Sequence, residues 1–196
     1  MLGKYYYWLF KGSQGLDKKT CNKIINIFKK QKTEKAIIGV AKKIDKNVRD
    51  SKVFFSADKE LYNIICPYIG RANQSAGWNV DIDWNESMQF TVYNKNQHYD
   101  WHIDNLDAPY GEEAHPDLRG KIRKLSCGVS LTDPKKYEGG DFYFHFGKEK
   151  IAYKIPGFKE QGSILVFPSY HWHKVSPITK GVRYSLVNWA IGPAWR

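Results

Sequence analysis

The sequence is poor in cysteine and has no long apolar run. Its three cysteines, Cys21, Cys66 and Cys127, form no Cys-x-x-Cys pair, and their odd number argues against a disulfide framework and for a reducing compartment. No apolar stretch approaches the roughly 20 residues that a membrane-spanning helix needs. The aromatic N-terminal stretch is too short for a signal peptide. We therefore expect a soluble, cytoplasmic protein without a membrane segment.

Basic residues outnumber acidic ones. With 31 Lys and Arg against 20 Asp and Glu, the formal charge is +11 at pH 7, which favours anionic partners without specifying them. The basic residues form only short clusters, such as Lys42-Lys43 and Lys135-Lys136, and no stripe of them alternates with aromatic residues. A lysine-rich solvated surface is the simpler interpretation, and binding to nucleic acid rests on the net charge alone.

A length of 196 residues is within the range that all-β barrels and sandwiches fill as one unit, so we expect one domain over residues 1–196. The predicted helices come first in it and the strands later. A helical part covers about residues 17–70, in which Asp17 and Ser56 are the predicted N-caps of two amphipathic helices. A body of short strands follows over about residues 78–190. Short strands separated by turn residues are typical of a jelly roll, so the predicted fold class is mainly β with flanking helices. The predicted strands cover residues 36–40, 78–84, 88–93, 125–131, 141–146, 151–155, 163–167, 172–175 and 183–190.

Two histidines and one carboxylate on one side of a metal ion leave three coordination positions open, which is the arrangement that non-haem iron(II) oxygenases use. The sequence offers His102 and Asp104, which are two residues apart and would face the same side of a strand. A second His-x-Asp pair lies at residues 98–100, and His171 and His173 are both candidates for a distal histidine. Strand periodicity leaves these alternatives open, because all of them lie two or four residues apart.

Several motifs, in order along the chain, resemble the prolyl-4-hydroxylase-like 2-oxoglutarate/iron(II) oxygenases. The run from Tyr93 to Asp104 resembles the family's Tyr-x-x-Gly-x-x-Tyr-x-x-His-x-Asp motif, with Asn96 in place of the glycine. Asn tolerates a left-handed backbone better than other non-glycine residues, so the turn is expected to survive. A Gly-Gly turn at residues 139–140 and a C-terminal stretch at 162–189 follow in the family's order.

The resemblance extends over about residues 49–189 and implies a double-stranded β-helix of the cupin-like kind. Tyr93 precedes His102 by nine residues and His173 precedes Arg183 by ten, and both offsets match the family. The implied metal ligands are His102, Asp104 and His173. An arginine at position 183, where collagen-type members have lysine, makes the chain similar to the bacterial and phage-like branch.

The resemblance also implies roles for residues around the metal. Arg183 would bind the distal carboxylate of 2-oxoglutarate with its planar guanidinium, and the Tyr93 hydroxyl would add a hydrogen bond. Tyr99 and Trp172 are candidates for the wall of the substrate cleft. The segment 105–123 is rich in turn-forming residues and follows the metal ligands, so it is predicted to be a long loop and a candidate lid.

The implied cofactors are Fe(II), 2-oxoglutarate and O2, with ascorbate as an accompanying reductant. The implied reaction hydroxylates an unactivated C–H bond and releases succinate, and the implied substrate is a prolyl residue in a peptide or protein. Nucleic-acid-directed and small-molecule oxygenases are alternatives with the same chemistry. A non-catalytic cupin-like binding module is the alternative from another class, and the intact triad together with Arg183 argues against it. The oligomeric state is not indicated.

Overall fold

The computed structural model describes residues 5–30, 34–35, 47–105, 108–146 and 151–195. Two helices are present in this part of the chain, α1 (Lys18–Lys29) and α2 (Lys59–Ser75). Asp17 caps α1 as predicted, because its carboxylate accepts a hydrogen bond from the Thr20 amide at 2.9 Å. Neither helix has the length and apolarity that crossing a bilayer would require.

The predicted N-cap of α2 was wrong by two residues. Asp58 is the cap, and its carboxylate accepts a hydrogen bond from the Glu60 amide at 2.8 Å. Ser56 lies before the cap, where its hydroxyl accepts a hydrogen bond from the Asp58 amide at 3.2 Å. Both residues are of types that favour N-cap positions. Asp58, the one nearer the helix, binds a free amide of the first helical turn, and Ser56 binds the amide of Asp58.

The strands form two main antiparallel sheets, and the fold is a mainly β jelly roll with flanking helices, as predicted. The strands are β1 (Trp8–Phe10), β2 (Glu34–Lys35), β3 (Arg49–Asp50), β4 (Lys52–Ser56), β5 (Trp84–Asn85), β6 (Met88–Tyr93), β7 (His98–His102), β8 (Lys121–Ser130), β9 (Tyr137–Gly139), β10 (Phe142–His145), β11 (Ala152–Lys154), β12 (Ile164–Pro168), β13 (Trp172–Val175), β14 (Ile178–Gly181) and β15 (Arg183–Pro193). The larger sheet has the order β1-β12-β8-β15-β6-β4-β2, with β5 paired to β15. The smaller sheet has the order β11-β10-β13-β7-β3, and β14 pairs with β9.

The N-terminal part contributes strands as well as helices, since β1, β3 and β4 extend the two main sheets. The predicted strand at 36–40 lies outside the described residues. The predicted strand at 78–84 was wrong, because only its last residue belongs to β5. In this segment, the Asn73 side chain accepts a hydrogen bond from the Val80 amide at 3.0 Å and donates one to the Val80 carbonyl at 2.9 Å. These two bonds take the place of hydrogen bonds to a neighbouring strand.

Two hydrophobic clusters support this architecture. The first joins α1 and α2 to the larger sheet and includes Ile24, Ile65, Phe90 and Leu186, all of them almost fully buried. The second lies between the sheets, and its aromatic members come from both of them. Burying one such side chain contributes roughly 1.5–3 kcal/mol, so these clusters stabilise the sheets that carry the site. The aromatic members of the second cluster are Tyr93, Tyr137, Phe142, Phe144, Phe158 and Phe167.

The turn between β6 and β7 has the left-handed residue that the sequence predicts. Asn96 has a φ of 68°, and its amide donates to the Ile178 carbonyl at 2.7 Å. The side chain of Gln97 closes the turn by accepting a hydrogen bond from the Asn94 amide at 2.8 Å. Replacement of the family's glycine by asparagine therefore preserves the turn that leads into β7.

Residues 105 and 108–120 contain no helix or strand, in agreement with the long loop predicted after Asp104, but the loop ends before residue 123 because β8 begins at Lys121. Two backbone hydrogen bonds close the base of the loop: the Tyr110 amide donates to the Lys121 carbonyl at 3.0 Å, and the Gly120 amide donates to the Tyr110 carbonyl at 2.8 Å. Residues 111–119 thus form an excursion whose two ends are held together.

Candidate metal centre and adjoining cavity

His102 and His173 face each other across two neighbouring strands. They are paired in the register of β7 with β13, and their ring centroids are 4.1 Å apart. Asp104 follows two residues after β7, where its amide donates to the Ser169 carbonyl at 2.9 Å. The three residues bring their metal-ligating atoms within 4.8 Å of one another. Among the described residues this is the one group of three or more such side chains with that geometry.

Each histidine of this group has one ring nitrogen held by a main-chain carbonyl. Nδ1 of His102 lies 2.7 Å from the Asp100 carbonyl, and Nδ1 of His173 lies 2.9 Å from the His171 carbonyl. Because a carbonyl only accepts, Nδ1 carries the proton and donates, which leaves the Nε2 lone pair of each ring for a metal. Burial, followed by the effect of His173, lowers the pKa of His102 to about 3. His102 is therefore neutral at physiological pH, as a metal ligand must be.

Asp104 supplies the carboxylate of the group. Burial by itself would raise the pKa of Asp104, but His173, His102 and Arg123 outweigh that effect and lower it to about 2. The Ser126 hydroxyl donates to Oδ2 of Asp104 at 2.7 Å and lies 3.0 Å from the Ser169 hydroxyl. An ionised carboxylate with two imidazoles is a donor set that fits Fe(II), so the residues present fit the metal of the non-haem oxygenases.

The alternative histidines point elsewhere. Both ring nitrogens of His98 face main-chain carbonyls, at 3.4 Å from Asn96 and 3.1 Å from Asn47. His171 packs in an aromatic group, with its ring centroid 5.6 Å from that of Tyr6 and 5.7 Å from that of Phe146. Neither histidine belongs to the group of potential ligands.

A cavity that is partly open to solvent adjoins the three candidate ligands. Tyr99 lines it and stacks on His102 with a centroid separation of 3.4 Å. Trp172, by contrast, does not line the cavity and is 49% exposed. The reason is strand alternation, since Trp172 directly precedes His173 in β13 and its side chain faces the opposite side of the sheet. The apolar part of the lining includes Phe142, Phe158, Phe167, Val175, Val187 and Trp189.

Arg183 lies in the same cavity and is only 3% exposed. It begins β15 and is paired with Tyr93 of β6, and its guanidinium carbon lies 5.5 Å from the centroid of the Tyr93 ring. Nη1 of Arg183 donates a long hydrogen bond, 3.4 Å, to the Ser185 hydroxyl. No carboxylate in the described residues lies within 4.0 Å of this guanidinium. A buried cation in such a setting favours an anionic ligand.

Several residues of the site were missed from the sequence. Arg49 of β3 lines the cavity, and its guanidinium carbon lies 4.5 Å from the centroid of the Tyr99 ring. Ser126 and Ser169 hold Asp104, as described above. Alternation along β8 could have placed Ser126 on an inward face, but no local signal distinguishes Arg49 from other basic residues. Arg49 reaches the cavity because β3 pairs with β7, and this pairing joins distant parts of the chain.

The metal-free protein is expected to lose stability as the pH falls from about 6.5 towards 4. An unfolded histidine takes up a proton near pH 6.5, whereas folded His102 stays neutral down to about pH 3. The unfolded state therefore binds more protons in this window, and each pH unit costs at most about 1.4 kcal/mol for this residue. Asp104, with a pKa of about 2, adds a loss of stability only below the unfolded value of 3.8.

Urea unfolding in the presence of a chelator, at neutral pH and about two units lower, measures this effect. The decline in the free energy of unfolding with falling pH should be shallower in His102→Gln, because this substitution removes the titrating ring. It should be unchanged in His115→Asn, because His115 is exposed in the loop after Asp104. Equal declines in wild type and His102→Gln would contradict the expected role of the buried imidazole.

Comparison with known proteins agrees with this geometry. The family model described as the 2OG-Fe(II) oxygenase superfamily matches residues 88–191, which is more than half of the chain and includes all three candidate ligands and Arg183. A PKHD-type hydroxylase of Xylella fastidiosa (strain M12) is 32% identical over 106 residues, covering 52% of this chain and 42% of the relative. A PKHD-type hydroxylase of Gloeothece citriformis is 35% identical over 103 residues, covering 53% of this chain and 41% of the relative. The chain thus matches about two fifths of the length of these relatives.

Solved structures share the fold over almost the whole chain. A Pseudomonas putida prolyl-4-hydroxylase superposes with a TM-score of 0.72 at 15% identity, covering 95% of this chain and 93% of that one. A Trichoplax adhaerens prolyl hydroxylase in complex with a hypoxia inducible factor peptide fragment gives 0.71 at 17% identity, covering 95% and 84%. The 2OG complex of a viral collagen prolyl hydroxylase from Paramecium Bursaria Chlorella virus-1 gives 0.65 at 20% identity, covering 97% and 98%.

Proposed function

The chain belongs to the 2OG-Fe(II) oxygenase superfamily, and on that premise we propose that it is an iron(II)- and 2-oxoglutarate-dependent dioxygenase that hydroxylates a prolyl residue in a peptide or protein. The main observation behind the proposal is that one cavity contains both a candidate metal site and a candidate anion site. The metal site is the carboxylate of Asp104 with the imidazoles of His102 and His173, whose ligand atoms lie within 4.8 Å of one another. The anion site is the buried guanidinium of Arg183, which lines the same cavity.

His102, Asp104 and His173 would hold the metal on one face and leave three coordination positions open. The bound iron, with 2-oxoglutarate and O2, supplies the oxidation that converts C–H to C–OH and yields succinate and CO2. Arg183 would bind the distal carboxylate of 2-oxoglutarate, and the neighbouring Tyr93 hydroxyl would add a hydrogen bond. The aromatic lining of the cavity would exclude bulk water from the reacting groups.

A peptide or protein substrate is supported by the Trichoplax adhaerens neighbour, which shares this fold and is in complex with a peptide fragment. The net charge of +11 is the observation that favours the second candidate, an oxygenase acting on nucleic acid.

Mass spectrometry after incubation with Fe(II), 2-oxoglutarate and O2 tests the proposal directly. Proline-containing peptides should gain one oxygen atom on proline, with succinate formed in equal amount, and His173→Ala should form neither product. Oxidation of DNA or RNA in place of the peptides would favour the second candidate. An absence of succinate with peptides and nucleic acids alike would contradict the proposed reaction.

We also propose that residues 111–119 close over the cleft when substrate binds. The hydrogen bonds at Tyr110 and Gly120 hold the base of this loop, so the motion should be confined to the excursion between them. Limited proteolysis should cut within this excursion in the free protein and more slowly after 2-oxoglutarate, Mn(II) and a substrate peptide are added. Equal cleavage in both states would mean that the loop is a fixed part of the surface.

A further inference from the structure

Asp104 differs from the two histidines in how its backbone is held. His102 and His173 lie in paired strands, so their main chains are fixed by the register of β7 with β13. Asp104 lies beyond the end of β7, where the long loop begins. Its amide donates to the Ser169 carbonyl, and its own carbonyl must be held by something other than a strand partner.

That carbonyl is bound by Arg123, which lies in β8. Nη1 of Arg123 donates to the Asp104 carbonyl at 3.3 Å. The other edge of the guanidinium is bound by Glu86 in a bidentate pair, with Nε to Oε1 at 2.6 Å and Nη2 to Oε2 at 2.7 Å. The ring of Trp189 lies against its face, at 4.0 Å from the guanidinium carbon. Arg123 is thus fixed on three sides, with one nitrogen directed at the metal-ligand segment.

Glu86 is itself held at both its backbone and its side chain. Its amide donates to the Trp189 carbonyl at 2.9 Å, and its carbonyl accepts a hydrogen bond from the Asn188 side chain at 2.8 Å. Its Oε1 also accepts a hydrogen bond from the Tyr110 hydroxyl at 2.8 Å. Because Tyr110 lies at the closed base of the long loop, the acid connects that loop to β15 and, through Arg123, to Asp104.

The position of this ion pair argues for a role beyond stability. The side chains of Arg123 and Glu86 are only 19% and 12% exposed. A buried ion pair is often no more stabilising than apolar residues of the same volume, because both charges lose their hydration. What apolar residues could not supply at this place is a donor for the Asp104 carbonyl and an acceptor for the Tyr110 hydroxyl.

We propose that Arg123, locked by Glu86, is a positioning residue that sets Asp104 in its metal-binding geometry, and that Tyr110 connects the loop to the same pair. The inference rests on the proposed function, since it assigns a partner to the carboxylate of the proposed iron site. It predicts that a change in the pair lowers metal affinity in protein that remains folded. A purely structural ion pair would alter fold stability without a separate effect on the metal.

Cobalt(II) titration of the metal-free protein under anaerobic conditions, without 2-oxoglutarate, tests the proposal. Arg123→Lys keeps the charge beside Glu86 but loses the planar fork, and it should weaken cobalt binding by about 10–100-fold, as changes next to metal ligands typically do. Glu86→Gln and Tyr110→Phe should weaken binding in the same direction and by less, because each leaves part of the network in place. Urea unfolding of the same metal-free samples gives the stability of each variant.

The chain offers a matched control in the ion pair of Lys121 with Asp83. Lys121 lies two residues before Arg123 in the same strand, and its amine is 3.1 Å from the Asp83 carboxylate. Lys121→Met removes this pair and should leave cobalt affinity unchanged. If Arg123→Lys does not fold, the cobalt affinities of Glu86→Gln and Tyr110→Phe still test the proposal.

Folded Arg123→Lys and Glu86→Gln proteins that bind cobalt within about twofold of Lys121→Met would overturn the positioning role. That result is distinct from a failure of the proposed function. If the wild-type protein binds no cobalt, or if His173→Ala binds it as well as wild type does, the metal site itself is misassigned.

Discussion

Replacing His173 with alanine is expected to abolish iron binding and all succinate formation. The variant would keep one histidine and one carboxylate, and two protein ligands hold an exchangeable metal far more weakly than three. His102→Ala and Asp104→Ala should behave in the same way, because the three ligand atoms lie together in one group. Metal content after desalting and succinate formation from 2-oxoglutarate are the two measurements.

The matched control for this loss is His171→Ala. The contact between His171 and His173 is a hydrogen bond to the main-chain carbonyl of His171, which alanine retains. The tautomer of His173 should therefore survive, and activity should fall by at most about 10–100-fold. The loss of activity in His98→Ala should be smaller still, because both ring nitrogens of His98 face main-chain carbonyls outside the ligand group. Loss of metal in His171→Ala with retention in His173→Ala would reverse the assignment.

Replacing Arg183 with alanine is expected to weaken 2-oxoglutarate binding by about 10²–10⁴-fold. Arg183 is 3% exposed and lines the cavity of the proposed iron site. Without its cation, the distal carboxylate would be buried unpaired, and breaking such a pair costs about 3–5 kcal/mol. At roughly 1.4 kcal/mol per tenfold change, this energy gives the expected loss of affinity. Iron binding should survive, because Arg183 is not in the ligand group.

Two comparisons separate the loss of a specific contact from general damage. Arg183→Lys should be milder than Arg183→Ala, since it keeps the charge and loses only the bidentate geometry. A 2-oxo acid without a distal carboxylate should bind the wild type weakly and should be nearly indifferent to either substitution. Unchanged 2-oxoglutarate affinity in Arg183→Ala would mean that the anchor lies elsewhere in the cavity.

The features that sequence predicts well here are local ones. A His-x-Asp pair is brought to one side of the chain by backbone geometry over three residues. The left-handed turn at Asn96 depends on the conformational preference of a single residue, and its φ of 68° is in the predicted region. Alternation in β13 also explains the exposure of Trp172, since assigning His173 to the site already requires its neighbour to face outward.

The features that sequence could not provide depend on which strands become neighbours. Arg49 reaches the cavity because β3 pairs with β7, and Arg123 of β8, a strand of the other main sheet, contacts Asp104 just beyond the end of β7. Such contacts join residues far apart in the chain and leave no periodic signal. The shift of the α2 N-cap from Ser56 to Asp58 has another origin, because two cap-forming residues lie two positions apart and it is Asp58 that accepts a hydrogen bond from an amide of the first turn.

We expect one metal ion and one 2-oxoglutarate to occupy this cavity together. An anaerobic crystal structure with Fe(II) and 2-oxoglutarate, with anomalous scattering measured at the iron edge, is the decisive measurement. It should show a single strong anomalous peak at coordination distance from Nε2 of His102, Nε2 of His173 and the Asp104 carboxylate, with the distal carboxylate of 2-oxoglutarate on Arg183. An iron peak at His98 or His171, or a 2-oxoglutarate molecule that does not reach Arg183, would contradict it.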